Sequence, residues 1–348
     1  MVVEKLIDHL GPAKDEENNL NGCSIIQDMF ETKEFYNILC KKENIQRIAD
    51  YACAPINRST KASKTSSLYV INQIISHHIE KQKKKDMTKD DSKDQNADDE
   101  DDMIVQQNSD DEKDEELEAS NPTSLVSQAN NLVEVLLEKI PDLQEILRSD
   151  HPGEMVSYSV SEVNFVPLGQ QRLRTVDLVL NMVKLKNNEI FESLGKSEIF
   201  RNIMDNVKQY PWNNFLQLKV INLCTEVIEN NENAEFRKAF LNTSGIAKAL
   251  VEMSEKAFIQ MESERTIRNG YMALVTSISN KLQKRYDGQE KHEDMTVSDY
   301  LEEVGEDWRA FVDGELKASN ENNNKTLGGC TTRNNMPEDE EENSNYDV

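Results

Sequence analysis

Apolar residues return every three or four positions along most of this chain, the spacing of helices that each bury one face. In LRTVDLVLNMVKL, Val176, Val179, Leu180 and Val183 fall on one side. Ile199, Ile203 and Val207 make a second stripe, and Leu218, Ile221, Thr225 and Ile228 a third. No run alternates apolar and polar residues for long enough to predict a strand. Pro167 precedes a helix, Pro211 ends one, and Pro141 breaks the pattern between LVEVLLEKI and LQEIL.

The pattern also repeats. SLGKSEIFRNIM (193–204) and FLNTSGIAKAL (240–250) each place a Leu, a short polar joint with Gly, and an Ile opening the next helix. ILCKKENIQRIADYA (38–52) is alike with one residue more. Leu194 and Leu241 stand 47 residues apart, within the ~40–47-residue period of HEAT and armadillo-type repeats. Helix pairs of this kind bury their apolar faces by stacking, so the expected fold is an all-α, HEAT/armadillo-like helical-repeat solenoid. A compact irregular helical domain is the alternative.

Composition divides the chain of 348 residues. Residues 86–118 hold 16 Asp and Glu against 3 Lys, about half of the net charge of −25. The few apolar residues there, such as Met103, Ile104 and Val105, cannot offset the entropy of ordering the segment. The expected organisation is a helical segment at 1–85, a disordered acidic linker at 86–121, a second helical segment at 122–317, and a disordered Asn-rich, acidic tail at 318–348. The negative charge argues against general binding to a phosphate backbone. It suits a protein partner with a basic patch, and a solvated linker gives the same number. Five cysteines without CxxC spacing read as reduced thiols on helix faces. No run reaches the ~18 apolar residues of a membrane span, and MVVEKLIDHLG lacks the apolar core of a signal peptide. A cytoplasmic or nuclear location follows as the expectation.

Catalytic patterns are missing. No GxGxxG or P-loop precedes a helix, and His9, His77, His78, His151 and His292 show no metal-ligand spacing. The carboxylates crowd into low-complexity runs that cannot hold an acid and a base at fixed separation. A dispersed catalytic site remains as an alternative, but the expectation is a protein that is no enzyme and takes no cofactor or metal. Lys81-Gln82-Lys83-Lys84-Lys85 reads as a minimal import patch or as a basic helix end. Ser109, followed by Asp110-Asp111-Glu112, has the context of an acidophilic kinase site.

Two stretches stand above this background. QYPWNNFLQLKV (209–220) gathers Tyr210, Trp212 and Phe215 at a corner, in a chain with 2 Trp, 9 Tyr and 10 Phe. Pro211 stops one helix there, and Asn213 or Asn214 caps the next. The aromatics are either a packed inter-repeat corner or a binding hot spot. In RTIRNGYMALVTSISNKL (265–282), Met272, Val275 and Ile278 form a helical stripe with Gly270-Tyr271 near its start. Arg265 and Arg268 form a basic island that faces either a partner or this chain's own carboxylates.

These residues carry a family likeness. Pro167, Leu168, Gly169, Arg172 and Leu173, then Tyr210, Trp212, Asn213, Asn214, Phe215 and Leu216, resemble conserved blocks of the SAPS domain. Arg268, Gly270, Tyr271, Met272, Thr276, Ile278 and Asn280 are similar to a third block, and the likeness extends to Glu306-Asp307-Trp308 and, loosely, to the start. The sequence departs from the family at Ala273-Leu274, where Gly-His is usual, and at Gln217, where His is usual. The likeness also implies that the family domain extends upstream of Met1. The resemblance implies a non-catalytic regulatory subunit that binds a Ser/Thr protein phosphatase catalytic subunit of the phosphatase 6 type, with further adaptor subunits as additional partners. It marks Tyr210, Trp212, Asn213, Asn214, Phe215, Arg268 and Tyr271 as candidate partner-binding positions. The alternative is an armadillo-like adaptor without a phosphatase partner.

Overall fold

The computed structural model describes residues 2–12, 14–55, 59–91, 122–148, 156–157, 164–230, 232–260, 266–288 and 295–325. The molecule is an all-α helical solenoid. Its first part runs α1 (Val2–Leu10), α2 (Glu16–Asp28), α3 (Lys33–Leu39), α4 (Lys42–Cys53) and α5 (Lys61–Asp91). After α6 (Pro122–Arg148) and a two-residue hairpin, β1 (Val156–Ser157) with β2 (Asn164–Phe165), come α7 (Gln170–Lys184), α8 (Asn188–Lys196), α9 (Ile199–Gln209) and α10 (Asn214–Thr225). A π-helical turn, Glu226–Asn230, leads to α11 (Ala234–Ser244) and α12 (Ile246–Glu255). A second hairpin, β3 (Phe258–Gln260) with β4 (Thr266–Arg268), precedes α13 (Met272–Asp287). Then follow α14 (Thr296–Val304), α15 (Glu306–Phe311), a π-turn at Val312–Leu316, and α16 (Lys317–Asn323).

The repeat seen in the sequence is the repeat of the fold. Leu39, Leu194 and Leu241 each lie at or near the end of the first helix of a pair, and Ile45, Ile199 and Ile246 near the start of the second. All six are fully buried. Successive units stack like on like: α5, α7, α10 and α13 pack side by side in that order, as do α4, α6, α9, α12 and α15, and α8, α11 and α14. One continuous apolar core runs through the stack from Val3 to Leu316.

Several expectations need correction. Pro141 does not interrupt a helix; it lies inside α6. An interior proline costs about 3 kcal/mol, but Leu136, Ile140, Leu143 and Leu147 on both sides of it are buried, and that packing carries the helix through. In α10 the buried face is Leu216, Val220, Leu223 and Cys224, while Leu218 is 55% exposed. Ile228 returns to the core because the π-turn after α10 shifts the helical phase. Helix α5 continues to Asp91, past residue 85, and α16 reaches Asn323, past residue 317. Ser319 on α16 is buried and accepts a hydrogen bond from Arg268, so packing orders that turn. The acidic linker from residue 92, Ser109, Arg265, and the tail from residue 326 lie outside the described residues. The Lys81–85 run sits on α5, where Lys81 lies 4.3 Å over the Tyr36 ring.

Candidate functional site

Three segments distant in sequence meet at one edge of the stack: the loop before α7, the corner before α10, and the turn before α13. The first is an extended run, residues 166–169, ending on Gly169 at φ +83°, a left-handed conformation that costs glycine nothing. Arg172, one turn into α7, donates to the Leu168 carbonyl at 3.0 Å and lies over the Tyr210 ring at 5.6 Å. A buried cation thereby ties the loop to the corner.

The corner is held by side-chain hydrogen bonds to its own backbone. The Asn213 carboxamide accepts from the Leu216 N–H at 2.8 Å, capping α10. Gln217, buried, donates to the Pro211 carbonyl at 2.7 Å. Tyr210 is buried, Trp212 and Asn213 are half-buried, and Asn214 and Phe215 are exposed. Phe215 is 73% exposed, too much for a packing residue of its size.

The third segment closes the corner from behind. A Cβ placed on Gly270 would lie 2.4 Å from the Pro211 oxygen and 2.8 Å from Trp212 Cε3, so only glycine fits between them. Tyr271 is buried, burial pushes its phenol pKa up, and its hydroxyl approaches the Lys256 carbonyl at 3.5 Å. Arg268 donates to the Ser319 hydroxyl at 2.7 Å and lies 3.8 Å from Glu315. The basic residue at this position therefore pairs with the chain's own carboxylate. Of the departures from the family pattern, Leu274 is fully buried and Ala273 is exposed.

The seven candidate positions thus separate by exposure. Trp212, Asn214 and Phe215 offer surface, Asn213 caps, Tyr210 and Tyr271 support the corner from inside, and Arg268 joins β4 to α16. Between the loop and the corner lies an open cavity of about 290 Å³. Its walls are residues 166–169, Gln170 and Leu173 of α7, residues 209–213, and Phe215. Leu218, one turn beyond Phe215, extends the apolar surface, and its exposure was hidden in the sequence by the regular spacing that made it look like core.

Polar contacts between neighbouring helices hold the stack in register. Lys219 of α10 meets Asp177 of α7 at 2.5 Å, Arg174 stacks on Tyr69 of α5 at 4.9 Å, and Lys281 of α13 reaches Glu229 at 3.1 Å. Trp308 donates to Gln283 at 3.1 Å, joining α15 to α13. Among the described residues no group of His, Cys, Asp and Glu is arranged to hold a metal ion. His77 packs on the Tyr36 ring at 4.5 Å, and His78 is buried beside it in sequence. No helix among the described residues is long and apolar enough to cross a membrane.

The chain matches the family model described as SAPS, SIT4 phosphatase-associated protein, over residues 2–195 and 192–325. It is 25% identical over 229 residues to serine/threonine-protein phosphatase 6 regulatory subunit 3-B of Xenopus laevis, covering 60% of this chain and 26% of that protein. It is 26% identical over 193 residues to SIT4-associating protein SAP190 of Saccharomyces cerevisiae, covering 53% of this chain and 17% of that protein. Extragenic suppressor of kinetochore protein 1 of Schizosaccharomyces pombe is 22% identical over 219 residues, 60% of this chain and 24% of that protein. The chain therefore matches about a quarter or less of the length of these curated relatives. No solved structure matches it.

Proposed function

The chain belongs to the SAPS family, and from that membership we propose that it is a non-catalytic regulatory subunit that holds the catalytic chain of a phosphatase 6-type Ser/Thr phosphatase. The observation that carries this reading is the family match across nearly all of the described chain, with relatives named as phosphatase regulatory or phosphatase-associating proteins. The architecture suits the role. A solenoid offers a long, rigid face, and its action is to raise the concentration of an enzyme near its substrates, with no covalent step of its own. The edge where Asn214, Phe215 and Leu218 stand exposed beside the half-buried Trp212 is the proposed contact surface, because aromatic and apolar anchors dominate protein interfaces. A cytoplasmic location, and further adaptor subunits, belong to the same proposal.

Affinity purification of the tagged chain from cells, followed by mass spectrometry, tests it. A Ser/Thr phosphatase catalytic chain is expected among the captured proteins. Its absence, with other proteins captured in good yield, would favour an adaptor that has no phosphatase partner.

A further inference from the structure

We propose that the cavity between the start of α7 and the start of α10 receives one bulky apolar side chain from an extended segment of the protein partner, with Phe215 and Leu218 as its outer lip. This deepens the proposed contact surface and rests on the corner facing a partner.

Charge complementarity names the occupant. The chain is 30% charged, yet none of the residues lining this cavity carries a charge. Arg172, whose guanidinium meets the Leu168 carbonyl and the Tyr210 ring, does not line it. A charged side chain entering here would lose its water and gain no counter-ion, so the occupant is neutral and apolar. Size narrows it further. A helix with its side chains is about 10–12 Å across, too wide for a cavity of about 290 Å³, which suits one side chain of leucine, methionine or phenylalanine size.

The rim supplies the rest. Gln170 and Gln209 are exposed at the mouth, and their amides can pair with the main-chain N–H and C=O groups that an extended segment leaves free. The walls are fixed in advance by the Asn213 cap, the bond from Gln217 to the Pro211 carbonyl, and the close approach of Gly270 to Pro211. Little ordering is then required when the side chain enters. A rival occupant is this chain's own segment 326–348, which follows α16, whose Asn323 lines a neighbouring cavity with Arg268 and Gly270.

The test uses the full chain with leucine methyl groups labelled for NMR and two neutral probes, N-acetyl-leucine methylamide and N-acetyl-phenylalanine methylamide. Saturable shifts are expected at Leu168 and Leu173, with none from the N-acetyl methylamides of aspartate or lysine. Leu173→Trp should fill the cavity and abolish the shifts at an unchanged melting temperature; if that variant does not fold, Gln170→Trp closes the mouth from an exposed position. In a chain that captures the phosphatase catalytic chain, the plug should weaken capture by roughly tenfold or more, as loss of a hot spot does. The proposal is overturned by an absence of saturable shifts, by equal shifts from the charged probes, or by capture that the plug leaves unchanged. Shifts that appear only after residues 326–348 are deleted would also overturn it, because the chain would then fill its own cavity. Neutral probes that bind a chain which captures no phosphatase would support the receptor and count against the proposed function.

Discussion

Phe215 and Leu216 are neighbours in sequence, and the structure gives them opposite duties. Leu216 is fully buried beneath α10, whereas Phe215 is 73% exposed above it. Truncating a fully buried leucine to alanine removes its transfer energy and leaves a void, costing about 2–5 kcal/mol. In a folded region of this size each kcal/mol lowers Tm by about 2–4 °C, so Leu216→Ala should melt well below the parent chain. Phe215→Ala removes a ring that water already covers for the most part, and its effect on stability should stay within about 0.5 kcal/mol. Binding should reverse the order. An exposed aromatic at the centre of an interface contributes about 2 kcal/mol or more when truncated, so Phe215→Ala should weaken capture of the phosphatase chain by roughly thirtyfold. Circular-dichroism melts and biolayer interferometry on the same preparations read both quantities. A Phe215→Ala chain that melts like Leu216→Ala, or that binds like the parent, refutes this division of labour.

Other substitutions test the corner and the first helices. Gly270→Ala should destabilise by about 1–3 kcal/mol or more, because the added methyl must push aside the Pro211 carbonyl and the Trp212 ring; a chemical-denaturation midpoint equal to the parent's would contradict the contact. Asn213→Ala should cost about 1 kcal/mol through loss of the α10 cap, with Asn213→Asp retaining most of the stability in the same denaturation series. Burial, with Lys81 nearby, lowers the pKa of His78 below its ordinary 6.5, and His77 moves the same way. The unfolded chain therefore binds protons more readily below about pH 6.5, so stability contributed by these neutral histidines is present above that pH and is lost as the pH falls. Melts between pH 7.5 and 5 should show that decline, and His78→Gln should flatten it.

The architecture was legible in the sequence wherever one helical face was apolar and the other polar. Val176, Val179, Leu180 and Val183 all proved buried, and the matched Leu and Ile at the joints of three helix pairs proved fully buried. The reading failed where both faces carry apolar residues. In α10 the regular spacing through Leu218 selected the solvent side, because Phe215 and Leu218 are as apolar as the true core set of Leu216, Val220 and Leu223. Three-residue strands such as β3 and β4 are too short to leave an alternating signature. The aromatic corner itself stood out by composition. Its closure by Gly270 and its cavity wall from residues 166–169 could not be read locally, since they depend on contacts between segments far apart in the chain. The pairing of Arg268 with Glu315 was one of two open readings, and only the place of the π-turn before α16 beside β4 selects it.

We propose that this chain, as a non-catalytic subunit, grips a phosphatase catalytic chain directly. Analytical ultracentrifugation of the two purified proteins, alone and mixed at micromolar concentration, addresses it with no other component present. A faster-sedimenting boundary containing both chains is expected, diminished when Phe215 is replaced by alanine. Two boundaries that sediment in the mixture as each protein does alone would contradict it.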